Sequence, residues 1–471
     1  MSLQSIKDNG GLESVFIEDK FDAENENTYS LGIITFDILN SLVGERTQTL
    51  ILEEISEDMF YNLQFLNMPN LQTLEIRQNH IDNIQSLEPL RNIKVKFLTL
   101  TGFPKVESLE PLRELCSRVL PESSGEIQLK KLHLGYFPNV SSLEPLRGFY
   151  PNREIQLKKL HLNYFPLIES LEPLRKMCPE SLTLSSFSKV KSLEPLREMR
   201  PKILKLSYFY KVSSLEPLSE MKLQKLNLHC FPLINSLEPL SEMYPESLTL
   251  NSFPLIESLE PLREMRPKSL TLSYLEVESL EPLRNMRPES LDLYVLTKVE
   301  SLEPLRNMKL ESLSLNGIPK VFSLEHLSEM RPKILKLGYI SIKSLEPLRN
   351  MDPEYISFNA LSNVSSLEPL RDMRPESLTL SNFPKVSSLE PLRDMKPQYM
   401  CLNYFPKVKT LEPLREICSR TMSENRELCK ESSSIHPKKI YVSNFPNVST
   451  LEPLSGMSSK NLSIGGFFME G

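Results

Sequence analysis

Residues 179–199 read Pro179-Glu180-Ser181-Leu182-Thr183-Leu184-Ser185-Ser186-Phe187-Ser188-Lys189-Val190-Lys191-Ser192-Leu193-Glu194-Pro195-Leu196-Arg197-Glu198-Met199. Two periods meet in this stretch. Leu182 and Leu184 flank Thr183, and this alternation predicts a short strand with one buried face. From Phe187 onward, Val190, Leu193, Leu196 and Met199 recur every third residue. That spacing suits a 3₁₀ or irregular turn that keeps one side inward. Pro195 fits such a turn, because its φ is fixed and it has no N–H to satisfy.

The same unit recurs along the chain. The string Leu-Glu-Pro-Leu, or a near copy, occurs sixteen times between Leu87 and Leu451, mostly at steps of 22 residues. The strand pair can be followed through its first apolar residue: Leu50, Leu74, Leu98, Leu132, Leu160, Leu182, Leu204, Leu226, Leu248, Leu270, Leu291, Leu313, Leu335, Ile356, Leu378, Met400, Ile440 and Leu462. That predicts an α/β solenoid, a leucine-rich-repeat horseshoe or arc. Its concave parallel sheet would have about eighteen short strands, with 3₁₀ or irregular turns on the convex side. At about 4.8 Å per strand the row would extend on the order of 80 Å. No single coil can bury its own leucines, so each covers its neighbour.

The pattern resembles the 22-residue leucine-rich repeats of the internalins and of a regulatory subunit of type-1 protein phosphatase. The early unit Leu71-x-x-Leu74-x-Ile76-x-x-Asn79-x-Ile81-x-x-Ile84 matches the family spacing, and the likeness covers roughly residues 46–471. It implies an interaction scaffold, without implying a partner. One column departs from the family. The asparagine that would bond backbone groups survives at Asn79, and later coils carry Phe103, Phe137, Phe165, Phe187 and equivalents. An apolar spine cannot itself satisfy the turn's N–H groups, and orphaned groups are costly. Proline follows this residue at nine positions, including Pro104 and Pro138, and removes one donor each time.

Composition narrows the function classes. The chain has 471 residues, 37 prolines, 14 glycines, no tryptophan and a net charge of −6. Only Ala23 and Ala360 are alanine, which argues against long helices. The acidic balance lacks what a phosphate-driven nucleic-acid binder requires, so no nucleic acid is expected. No run of about 18 apolar residues exists, so no membrane span is expected. The first residues lack a basic stretch followed by an apolar one, and the six cysteines show no regular spacing. The expected location is therefore cytoplasmic.

Residues 1–45 lie outside the repeat and are expected to form an N-terminal segment with a capping helix at about 29–43. The solenoid is expected over 46–471, with insertions near 116–127, 148–155 and 418–436. No cap is visible after Leu462, so the C-terminal edge strand is a candidate for pairing with another chain.

The chain shows no nucleophile–base–acid set and no glycine-rich phosphate loop, so the expectation is a non-enzymatic protein with no cofactor. No metal site is expected, since two neighbouring histidines fall short of a structural zinc set. Residues between the paired leucines should face the concave surface. The strongest local cluster there is Lys131, His133 and Tyr136 beside Lys159, His161 and Tyr164, in the near-duplicate strings EIQLKKLHLGYFP and EIQLKKLHLNYFP. Lys205, Tyr208 and Lys225 extend it. Duplication of one unit is the bland explanation; a protein-binding face is the functional one, since tyrosine is enriched at interfaces. The expected function is a protein–protein interaction scaffold binding a partner on its concave face. Alternatives are a regulatory subunit of a phosphatase or other enzyme and, from other classes, a nucleic-acid-binding solenoid or a cell-surface adhesin.

Overall fold

Each leucine pair becomes a strand because alternate side chains point to opposite faces, leucines inward and Ser, Thr, Lys or His outward. The computed structural model describes residues 7, 12–18, 35–78, 83–117, 128–148, 157–419, 439–455 and 461–466. The chain divides into two units, residues 1–234 with 242–245 and residues 235–241 with 246–471. The first unit holds β1 (Ser14–Glu18), β2 (Thr49–Glu53), β3 (Thr73–Arg77), β4 (Phe97–Thr101), β5 (Lys131–Gly135), β6 (Lys159–Asn163), β7 (Ser181–Ser185), β8 (Ile203–Ser207) and β9 (Lys225–His229). Each pairs in parallel with the next in chain order. The second unit holds β10 (Ser247–Phe253), β11 (Ser269–Leu275), β12 (Ser290–Tyr294), β13 (Ser312–Asn316), β14 (Ile334–Gly338), β15 (Tyr355–Asn359), β16 (Ser377–Ser381), β17 (Tyr399–Asn403), β18 (Lys439–Ser443) and β19 (Leu462–Gly465), paired in the same way.

All eighteen strands expected from the leucine pairs are present as β2–β19. β1 is an addition. Its residues Ser14–Glu18 run beside Thr49–Glu53 of β2. The run Val15-Phe16-Ile17 lacks the alternation that marks the other strands, so pattern reading passes over it. A helix, α1 (Phe36–Leu42), follows, with Leu39 buried. The rest of the segment expected to be helical, 29–34, lies outside the described residues, as do the three insertions beyond their first one or two positions.

The side opposite the sheet is built from turns. Glu-Pro-Leu forms a 3₁₀ turn, as at Glu88–Leu90 and Glu194–Leu196. The serine or threonine two residues before each glutamate accepts a hydrogen bond from that glutamate's N–H, at 3.0–3.2 Å in all sixteen turns. The recurring spacing thus holds a side-chain cap that frees the turn from needing a helix. In eleven of these turns an arginine three residues on grips the glutamate with two N–H groups, as Arg91 does Glu88 at 2.7 and 2.5 Å. These hydrogen bonds hold the Glu88 carboxyl below its ordinary pKa. Exposed pairs of this kind contribute little each.

At several coils the apolar spine finds backbone partners for its N–H. Phe103 N–H donates to Tyr136 O (3.1 Å), Phe137 N–H to Tyr164 O (3.1 Å) and Phe209 N–H to Cys230 O (3.2 Å). In these coils, and at Phe383 and Phe405, a carbonyl of the following coil satisfies the spine N–H. The spine carbonyl accepts in turn from the residue three on, as Val140 N–H to Phe137 O at 3.3 Å. This places Pro104 and Pro138 second in a four-residue turn, where a fixed φ is an advantage. The expectation that proline mainly removes a donor is thus extended: it shapes the turn. The rings stack through the first unit, with centroids 5.5 Å apart for Phe103–Phe137, 5.7 Å for Phe165–Phe187 and 5.8 Å for Phe187–Phe209.

The carbonyls that reach the spine come from residues in the left-handed region. Glu54, Tyr136, Tyr164, Ser186, Tyr208 and Cys230 have φ between 56° and 62°. Side chains rarely adopt this conformation. At Tyr136 and Tyr164 the N–H and the carbonyl both bond between coils: Tyr136 N–H donates to Asn163 O at 2.8 Å, and Tyr136 O accepts from Phe103 N–H at 3.1 Å. The ladder holds the strained residue in place.

Candidate partner-binding face

The outward positions of β5–β9 carry Lys131, His133, Lys159, His161, Lys205 and Lys225 over a floor of small polar residues. The register sets Lys131 directly beside Lys159 and His133 beside His161. His161 is followed across the sheet by Thr183, Lys205 and Asn227. Tyr136, Tyr164 and Tyr208 stand at the left-handed positions just past the strands. All nine residues expected at a binding face are therefore brought together on one face of the first unit.

The aromatic groups are ordered. The His133 and His161 rings stack with centroids 4.1 Å apart and planes 4° from parallel. Tyr136 and Tyr164 stack at 4.7 Å and 13°. Tyr208 leans on His229 of β9 at 4.8 Å and on Tyr210 at 6.2 Å. Pattern reading left out His229, which lies in a different column of the repeat, and Ser186, whose importance comes from its neighbours. Thr183 was among the outward positions but carried no role.

Charge on this face is one-sided. β5–β9 contain no aspartate or glutamate. Among the described residues, Lys131, Lys159, Lys205 and Lys225 make no ion pair. Elsewhere on the sheet the charges compensate: Arg77 reaches Glu53 at 2.7 Å and Glu75 at 2.6 Å. Glu180, one residue before β7, is paired with Lys202 at 3.8 Å. Like charges set directly opposite each other destabilise a sheet, so the Lys131–Lys159 pair is a local penalty that packing does not explain.

The histidines add no charge at neutral pH. Desolvation pushes the His133 pKa down to about 4, with smaller repulsion from His161, Lys131 and Arg77. Desolvation also lowers His161, helped by Lys131 and Lys205. The unfolded chain takes up these protons near pH 6.5 while the folded chain resists. Stability is therefore untouched above about pH 6.5 and falls as the pH drops from there toward 4. Replacing both residues (His133→Gln with His161→Gln) should flatten the pH dependence of the denaturation midpoint between pH 6.5 and 4.5. An unchanged slope would contradict this.

Among the described residues, no three His, Cys, Asp or Glu side chains group as a metal site. Among the described residues, no helix is long and apolar enough to cross a membrane. The sheet of the second unit is less charged, with serine, threonine and asparagine predominating and Asp292, Lys336 and Lys439 as exceptions. Burial raises the Asp292 pKa.

A parallel ladder with one strand per coil, a buried leucine pair in each strand and a 3₁₀ turn on the return path define a leucine-rich-repeat solenoid protein. No family model matches the sequence, and no curated protein does. Among solved structures, the chain is similar to an internalin from Listeria monocytogenes. Identity is 16% over 93% of this chain and 90% of that one, with a TM-score of 0.34.

Proposed function

We propose that the protein is a non-enzymatic interaction scaffold whose β5–β9 face docks an acidic segment of a protein partner. One observation carries this reading. Four lysines crowd a face without a carboxylate on its five strands, and two of them are directly opposed. An anionic partner would relieve that repulsion, so electrostatic complementarity favours such a ligand. The stacked rings hold the neighbouring side chains in place, which lowers the ordering cost of binding. Tyrosine beside lysine supplies both contact area and charge.

The test uses a fluorescein-labelled oligoglutamate peptide and anisotropy at low ionic strength. Each reversed charge removes an attraction of about 1 kcal/mol or less, so Lys131→Glu, Lys159→Glu and Lys205→Glu together should weaken binding by about a hundredfold. Lys189→Glu is the control, since that lysine lies on the turn side near Glu169 at 3.7 Å. Equal loss in test and control, or no loss, would remove the reading. A single-stranded oligonucleotide that outcompetes the peptide would instead assign the face to nucleic acid.

A further inference from the structure

The face contains a slot with aromatic walls. Tyr164 directly follows β6 and Tyr208 directly follows β8, and both are in the left-handed conformation, with φ of 61° and 59°. Between them, just past β7, the same position is Ser186 with φ of 62°. Two strand spacings separate the tyrosines, about 10 Å. Each wall is braced from outside. Tyr136 stacks on the far side of Tyr164 at 4.7 Å, and His229 supports Tyr208 from β9 at 4.8 Å. Both wall tyrosines remain exposed, 39% for Tyr164 and 36% for Tyr208. The floor is short: Ser181, Thr183, Ser185 and Ser186. Lys159 and His161 line one wall and Lys205 the other, in register across Ser181 and Thr183.

A guest ring centred over Ser186 would stand about 5 Å from each tyrosine, within the stacking range of about 4.5–7 Å. Lys205 and Lys159 stand about 10 and 16 Å back along the strands from this level, so carboxylates three to five residues from the ring in an extended guest would lie over them. Building on the docking reading above, we infer that the occupant is an acidic segment carrying an aromatic side chain, which inserts between Tyr164 and Tyr208 while its carboxylates meet Lys159 and Lys205. No other pair of tyrosines in this column stands two strands apart. In the second unit Tyr274, Tyr339 and Tyr404 are three strands apart.

The chain has no tryptophan, so indole emission from a peptide reports binding without background. Two peptides serve as probes, a central tryptophan with four glutamates on each side and the same sequence with a central alanine bearing a dye. Ser186→Tyr is the plugging variant. It fills the slot with the protein's own ring, and the backbone accepts tyrosine there as it does at Tyr164 and Tyr208. The wild type should bind the tryptophan peptide about tenfold more tightly than the alanine peptide. Ser186→Tyr should abolish that difference while leaving the alanine peptide's affinity unchanged. Lys159→Glu with Lys205→Glu should weaken both peptides. Equal affinities in the wild type, or a tryptophan advantage that survives Ser186→Tyr, would overturn the slot and leave acidic docking standing. Binding of neither peptide, or binding indifferent to the lysine changes, would overturn both.

Discussion

Phe187→Ala should destabilise the first unit by about 3–5 kcal/mol, the range for removing a large buried aromatic side chain. Phe187 is fully buried, with Phe165 at 5.7 Å on one side and Phe209 at 5.8 Å on the other. Phe209 is held by its N–H bond to Cys230 O (3.2 Å) and Phe165 by accepting from Ile168 N–H in its own turn (3.3 Å), which restrains both from closing the gap. In a solenoid each coil rests on the next, so the loss acts on both interfaces of one coil. Phe187→Leu should lose only about 1 kcal/mol, because leucine fills the same column at Leu275, Leu296 and Leu361, all buried. Urea denaturation followed by tyrosine fluorescence measures both. Equal losses for alanine and leucine would show that the spine does not carry the packing assigned to it.

The second large effect is expected at Gly102. A Cβ built there would lie 1.8 Å from the Gln78 carbonyl oxygen and 2.6 Å from its carbon, with φ at +85°. Left-handed φ alone is tolerated at this position in other coils, where tyrosine occupies it. The difference is the neighbour. Gln78 is buried and donates through its side-chain amide to Ile55 O at 2.8 Å. Its N–H bonds to Thr101 O at 2.8 Å, so its backbone has no room to retreat. Gly102→Ala should therefore destabilise by about 3 kcal/mol or more, well beyond the roughly 1 kcal/mol of left-handed strain. Gly317→Ala provides the contrast. Its φ is +69°, but its nearest contacts are at 3.1–3.2 Å. That change should lose about 1 kcal/mol. Matching losses in the two variants would place the cause in φ alone.

The leucine pair of each coil was enough to locate eighteen strands, because period-two burial is written directly in side-chain type. The Glu-Pro-Leu turns were equally legible from proline and the three-residue spacing. Three features were not. β1 lacks an alternating pattern and is recruited by the open edge of β2. The left-handed residue holds Tyr, Ser, Cys, Glu, Val, Ala, Asn or Gly in different coils, so no residue type marks it. Where spine N–H groups find backbone partners, these are carbonyls of the following coil, and main-chain acceptors leave no trace in sequence. The face itself was half legible. Near-duplicate strings exposed Lys131, His133 and Tyr136 with their counterparts in the next coil. Ser186, the residue that makes a slot of its neighbours, is noticed only once Tyr164 and Tyr208 are seen to flank it.

Lysine acetylation footprinting tests the docking face most directly. The full chain is treated with a limiting acetylating reagent, with and without saturating oligoglutamate peptide, and each lysine is quantified by mass spectrometry. Protection of Lys131, Lys159, Lys205 and Lys225, with Lys105, Lys189 and Lys191 on the turn side unchanged, is the predicted result. Protection spread evenly over all lysines, or confined to the turn side, would contradict an acidic partner docking on β5–β9.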